Sequence, residues 1–401
     1  MKGKRTLFVL GAGASACHEN KDRKIPTQND ILNSFVFPKL SRSSPKMIIG
    51  GLVTGNGLTH STFLSDYLAS KYKLEQNDEN MLTEYWEMLA KRKLNLETLY
   101  DELEADASKE GLQARNDFIA ILMAKIRSGV GDRSQDDLCK NNLKIARNLE
   151  PLDYVITFNW DTLIDDALLY GCPFWYPYTG YGTKIAGLQG EFFNKKYHID
   201  SLVHIYHIHG SIGLYEPIDE EIRNRLKTAL VVGPKGLCIM YELCELIGIK
   251  KPKSNKKNGE DIEQPKPARN ITAEEQALLD RGCIRIGEEK KIWLQPIFVT
   301  PSKAKREYNN WYVTALKKII YTRLPFIERI IIAGYSFPPS DYDHLKSIFI
   351  DEIISDETEI MCINLENKDQ NYQEKVKQIF KRESIDFSIS DFKEYCNNLP
   401  L

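Results

Sequence analysis

Residues 6–15 read Thr6-Leu7-Phe8-Val9-Leu10-Gly11-Ala12-Gly13-Ala14-Ser15, a β-branched and apolar run that passes straight into a glycine-rich turn. An apolar run without alternation marks a strand covered on both faces, as in a parallel sheet flanked by helices. Two glycines directly after such a strand permit a tight turn. They let the backbone approach a pyrophosphate, and a helix that follows would offer it free N–H groups. The third glycine of the dehydrogenase fingerprint is missing. The acidic residue expected ~20 positions further on is met only by Asp30, which no clear second strand precedes, so a dehydrogenase is a poor fit. Taken alone, the turn reads equally well as a glycine turn with no ligand.

Working outward, similar short runs occur at Asp153–Thr157, Leu202–His209, Gln295–Thr300, Ile327–Ala333 and Glu359–Asn364. Their pattern predicts an α/β chain, with a Rossmann-like parallel sheet and helices on both faces. The gap between the first two runs, residues 11–152, is far longer than a crossover helix requires. Within it, Leu96, Leu99, Tyr100 and Leu103 fall at helical spacing, and Phe118, Leu122 and Ile126 repeat every fourth residue. A helical insertion over 31–149 is therefore expected. Lys250–Asn270 carries seven Lys/Arg, three Asp/Glu and three Pro. The stretch 249–271 thus reads as a flexible basic surface loop.

The chain has 401 residues, enough for two domains or one with insertions, and 54 Lys plus Arg against 56 Asp plus Glu. With a formal charge of −2 there is no global basic field, so nucleic acid is not expected as a partner of this chain alone. The eight cysteines include no C-x-x-C pair, so no zinc module is expected. No run approaches the ~18 apolar residues of a membrane span. Lys2, Lys4 and Arg5 before Leu7–Leu10 imitate a signal peptide, but four strong apolar residues fall well short of the ~7–15 that a signal core needs. A cytoplasmic protein with reduced thiols and no membrane association is the expectation.

In a parallel sheet, residues just past a strand's carboxyl end face the ligand crevice. The second run ends in Thr157-Phe158-Asn159-Trp160-Asp161, which places Asn159 and Asp161 there, although either could simply cap the helix expected over Leu163–Leu169. The third carries His204, His207 and His209, with His207 and His209 on one face by alternation. No carboxylate or fourth donor is spaced for a metal, and His209, at the strand end before Gly210, suits a general base. Gly334-Tyr335-Ser336-Phe337 and Asn364 put further small and hydrogen-bonding residues at the last two strand ends, as phosphates and a ribose would require.

The ordered set Gly11-Ala12-Gly13-Ala14-Ser15, Thr157/Asn159/Asp161, His209-Gly210, Gly334-Tyr335-Ser336 and Asn364 resembles the sirtuin (Sir2) superfamily. Pro301-Ser302-Lys303 ahead of Trp311, with Gly334–Pro338 and Asp341, is similar to the Sir2-like branch found in bacterial antiviral defence. The resemblance implies an NAD-binding Rossmann domain made of 1–30 and 150–390. In it Gly11, Ala12, Gly13 and Ser15 would cradle the pyrophosphate. Thr157 belongs to the same motif as Asn159 and Asp161, which would serve the nicotinamide ribose. His209 would be the base, Gly334 and Ser336 would line the phosphate and adenosine ribose, and Asn364 would lie near the adenosine. The zinc module that frames a deacylase's peptide groove is absent. The Pro-Asp-Phe-Arg run is replaced by Pro26-Thr27-Gln28-Asn29, leaving Gln28, Asn29 and Asp30 as stand-ins near nicotinamide. The activity implied is an NAD glycohydrolase with NAD as substrate, a defence effector that depletes NAD. A homo-oligomer, and a neighbouring gene's product such as an ATPase, are the implied partners. An NAD-dependent deacylase and a non-catalytic NAD or ADP-ribose binding module are the alternatives.

Overall fold

The computed structural model describes residues 4–20, 23–35, 62–74, 81–92, 94–131, 138–176, 180–181, 185–190, 202–217, 230–233, 236–240, 283–286, 290–298, 316, 320, 324, 327–338, 341–345 and 354–400. The 249–271 loop, Pro301-Ser302-Lys303, Trp311, Pro339 and Ser340 lie outside them.

In chain order the elements used below are β1 (Thr6–Leu10), α1 (Ala12–Ala16), α2 (Gln28–Leu32), α3 (Thr62–Tyr72), α4 (Met81–Arg92), α5 (Leu96–Glu104), α6 (Lys109–Val130) and α7 (Lys140–Asn148). Then come β2 (Tyr154–Thr157), α8 (Leu163–Gly171), β3 (Ile185–Gly190), β4 (His204–His207), β5 (Gly210–Pro217), β6 (Leu230–Gly233), β7 (Gly236–Met240), β8 (Cys283–Ile286) and β9 (Lys290–Phe298). The chain closes with β10 (Arg329–Ala333), α9 (Tyr342–Leu345), β11 (Glu359–Ile363), α10 (Gln370–Phe380) and α11 (Phe392–Asn397).

The chain divides into two compact units. One comprises Met1–Lys21, Asp132–Phe298 and Tyr308–Leu401; the other comprises Asp22–Gly131 and Val299–Glu307. The first is α/β and is built on a five-stranded sheet in the order β11-β10-β1-β2-β4, parallel throughout. Every residue of β1, β2 and the edge strand β4 is buried, so both faces of these strands are covered. One face carries Phe8, Leu10, Val155, Ile205, Ile331 and Ile363, packed on Ile145 and Ala146 of α7, Ile164 and Leu168 of α8, and Phe392 and Cys396 of α11. On the other face Cys362 meets the Tyr372 hydroxyl of α10 at 3.3 Å. Asp153 ties two strand starts together: its Oδ1 accepts from Thr6 N at 2.7 Å and its Oδ2 from Glu150 N at 2.8 Å. Burial pushes its carboxyl up to about 6.

Gln295–Thr300, expected as a strand of the parallel sheet, does not join it. Its described part falls in β9, which belongs to a separate antiparallel sheet ordered β8-β9-β5-β6-β7-β3. The register of β9 against β5 shifts between Pro296 and Phe298, the kind of irregularity at which a proline fits inside a sheet. The chain passes between the two sheets at Gly210. There φ is +71°, and a Cβ would stand 1.9 Å from Ile297 O, so only glycine fits.

The second unit is helical over its described residues from α2 to α6. Ser108 caps α6 by accepting from Gly111 N, and Asn95 and Thr98 form a reciprocal capping box at α5. Leu96, Leu99, Tyr100 and Leu103 of α5 are buried, as are Phe118, Leu122 and Ile126 of α6. The Tyr100 and Phe118 rings meet edge-on, with centroids 5.3 Å apart. Gln28, Asn29 and Asp30 lie in this unit. There the Asp30 carboxylate accepts from Thr27 N and Thr27 Oγ1 at α2, so it serves as a helix cap.

Candidate active site at the strand ends

The five parallel strands finish level with one another. Leu10 is in register with Thr157 and Ala333, Ala333 with Ile363, and Thr157 with His207. Residues just beyond them therefore share one rim.

At the centre of the rim two turns press backbone to backbone. Gly11 N donates to Ala333 O at 2.9 Å and Gly13 N to Gly334 O at 2.8 Å. A Cβ on Gly11 would stand 2.6 Å from both Gly334 O and Tyr335 Cα. Gly334 has φ +62°, and its Cβ would lie 2.2 Å from Ala14 N. These glycines are thus demanded by the chain's own close approach, before any ligand is considered. This corrects one expectation: the Gly13 N–H is taken up by Gly334 and is not held free for a phosphate. The outer side of the turn, Ala12 and Gly13, is exposed, as is Ser336 further along the rim.

Asn159 is buried and braces that turn. Its Nδ2 donates to Gly11 O at 2.9 Å and to Ser15 Oγ at 2.8 Å. With both amide hydrogens used, its side-chain carbonyl is the end that can accept from a water or a ribose hydroxyl. The Ser15 hydroxyl in turn donates to Asp161, whose Oδ1 accepts from Leu163 N at 3.0 Å at the start of α8. Burial raises the Asp161 carboxyl above the usual range, opposed by those two hydrogen bonds. Asp161 therefore links the glycine turn to α8 and acts through Ser15. Thr157, expected to bind the ligand, is fully buried, and its Oγ1 accepts from Asn159 N at 3.1 Å, so it shapes the turn instead. Asn364 is also committed: its Nδ2 donates to Tyr335 O and its Oδ1 accepts from Glu366 N, each at 3.0 Å.

The histidines separate because β4 stops at His207. His207 is fully buried, its Nε2 2.9 Å from Asp165 Oδ1, an oxygen that also accepts from the Tyr181 hydroxyl at 2.7 Å. His209 lies past the strand in the turn to β5, 7% exposed, with Nε2 3.2 Å from Oδ1 of Asp341, which is 1% exposed. The Tyr335 hydroxyl donates to Asp341 Oδ2 at 2.5 Å. The Phe158 ring stands edge-on to His209 with centroids 5.2 Å apart and stacks on Tyr335 at 4.4 Å. His209, Phe158, Tyr335 and the Gly11/Gly334 junction thus form one continuous packed group at the ends of β1, β2, β4 and β10.

Asp341 had no role assigned from sequence. Its carboxylate reaches Tyr335 six positions back, but its histidine partner is 132 positions away, and no local spacing announces that pair. The one signal in the sequence is the place of Asp341, beside Gly334–Pro338, in the set that resembles the Sir2-like branch.

Asp341 approaches Nε2 at 3.2 Å without hydrogen-bond geometry, so His209 and Asp341 are near neighbours at the rim and the pair does not fix the imidazole's tautomer. Among the described residues no group of three or more His, Cys, Asp or Glu side chains is placed to hold a metal ion, and no helix is long and apolar enough to cross a membrane. No protein-family model matches the chain, and no curated protein matches it.

Proposed function

We propose that this chain is a Sir2-like NAD glycohydrolase on a Rossmann-like frame, converting NAD and water to nicotinamide, ADP-ribose and a proton. The single observation that carries the reading is the His209–Asp341 pair, set at a parallel strand end in the same packed group as the glycine turn that Asn159 braces. A residue set that only bound a dinucleotide would have no use for an imidazole set beside a buried carboxylate.

The residues present suit such a ligand in a specific way. The exposed outer side of Ala12-Gly13 and exposed Ser336 would meet the pyrophosphate. The Asn159 carbonyl would accept from a ribose hydroxyl or from the attacking water. As the glycosidic bond lengthens, positive charge develops on the ribose, and nicotinamide leaves as a neutral amide. His209 takes the proton from water, and the Asp341 carboxylate beside it offsets the charge that develops. Asp161, Thr157 and Asn364 hold the turns that present these groups. The role that follows is NAD depletion in bacterial antiviral defence. A homo-oligomer and an activating partner are read from the family resemblance.

The test is incubation of the full chain with NAD, alone and with an acetylated peptide, with free nicotinamide, ADP-ribose and peptide all quantified. Nicotinamide and ADP-ribose in equal amounts, without any need for peptide, are expected. Nicotinamide release that requires peptide and yields deacetylated product would replace this reading with a deacylase. Binding of NAD with no nicotinamide released would make the chain a binding module.

A further inference from the structure

The turn that follows β10 is held from the side of β11 by three donors. Asn364 Nδ2 and the Tyr372 hydroxyl both donate to Tyr335 O, each at 3.0 Å, and Lys375 Nζ of α10 donates to Ser336 O at 3.0 Å. Phe337 has φ +53°, which is costly for a non-glycine residue. Its fully buried ring packs among Tyr335, Tyr372 and Phe380, with centroids 4.9, 6.3 and 5.8 Å away. The turn is therefore anchored without Lys375. An ammonium carries three N–H donors, and Ser336 O takes one of them. Lys375 is half-buried and forms no ion pair with any described residue, whereas Glu374 beside it is engaged by Lys377 at 3.2 Å.

Just beyond the five strand ends, residues 11–15, 158–162, 208–211, 334–338 and 364–366 include no Lys or Arg, but they do include Asp161 and Glu366. A pyrophosphate brought to that rim is anionic. Backbone N–H groups offset its charge only in part, because those of Gly11 and Gly13 are spent on Ala333 O and Gly334 O. We propose that Lys375 is the cation that binds the pyrophosphate of the dinucleotide, at the β10–β11 side of the rim. The inference rests on the rim being a dinucleotide site. The strand order β11-β10-β1-β2-β4 sets Ser336 and Lys375 to one side of the glycine turn and Asn159 to the other. The labile ribose then lies towards Asn159 and the phosphates towards Lys375. Lys375 acts on binding and not on bond cleavage, and its two remaining N–H donors meet the phosphate oxygens.

ADP is the probe, because it carries the pyrophosphate but no nicotinamide, so its binding is read without turnover. Titration calorimetry compares the full chain with its Lys375→Gln, Lys375→Arg and Lys368→Gln variants. The amide introduced by Lys375→Gln can still donate to Ser336 O, so the brace is kept and only the charge is removed. ADP affinity should fall about tenfold in Lys375→Gln and return to within about twofold in Lys375→Arg. It should stay unchanged in Lys368→Gln, which alters an exposed lysine just ahead of α10. KM for NAD should rise in Lys375→Gln by the factor that ADP affinity loses, with kcat unchanged. Full ADP affinity in folded Lys375→Gln, an equal loss in Lys368→Gln, or an unsubstituted chain that does not bind ADP would overturn the assignment. NAD left intact by a chain whose ADP affinity depends on Lys375 would remove the hydrolase reading and keep this one.

Discussion

Replacing His209 with alanine is expected to lower nicotinamide release by about 10²–10⁴-fold, ~2.7–5.4 kcal/mol of barrier, while circular dichroism stays unchanged. The side chain sits in a turn, contacts Phe158 edge-on and faces Asp341, so its removal takes the base without taking a strand. Asp341→Asn keeps the shape but loses the charge that stabilises an imidazolium. Its effect is expected in kcat, roughly 10–10³-fold, with KM little moved, because Asp341 acts through His209 and not on the ribose. Tyr335→Phe removes one hydrogen bond to Asp341 and should fall short of both. Near-normal turnover by folded His209→Ala protein would take the base assignment away. A KM effect without a kcat effect in Asp341→Asn would make that residue a binding group.

The second large effect is structural. Gly334→Ala places a non-glycine residue at φ +62°, at about 1–2 kcal/mol. It also sets a Cβ 2.2 Å from Ala14 N and 2.4 Å from Gly13 C. Both are backbone atoms held by β1 and its turn, so neither can rotate aside, and crowding adds about 1–3 kcal/mol more. A fall in Tm of roughly 5–15 °C is expected, read by thermal unfolding. Ser336→Ala, two residues on and exposed, should leave the Tm unchanged. A Gly334→Ala protein as stable as the original would mean that the two turns are not pressed together as described.

The strands that make the parallel sheet were legible because each is an unbroken β-branched or aliphatic run, the pattern of burial on both faces. Thr6–Leu10 was bounded correctly, and Ala333 and Ile363 close their strands within a residue of expectation. The end of β4 was less legible. The alternation through His207 and His209 looks continuous in sequence, but the chain leaves the sheet to enter β5, and the two rings find different carboxylates, Asp165 and Asp341. The antiparallel sheet was not legible either. Lys290–Phe298 mixes lysines, a proline and apolar residues, a pattern that names no neighbour and no direction. The site residues were found by position, since strand ends gather at a rim whatever their side chains do. What those side chains do was hidden: Thr157, Asn364 and Asp161 use their polar atoms on the protein's own turns, which no spacing in the sequence distinguishes from ligand contacts.

Hydrogen–deuterium exchange of the His209→Ala chain, with and without saturating NAD, tests most directly whether these strand ends hold one dinucleotide. Because that variant is expected to turn NAD over slowly, slowed exchange is expected together in the peptides that span 11–15, 157–161, 334–336 and 364. Exchange that NAD leaves unchanged in all of them, or slows only in the helical unit, would contradict it.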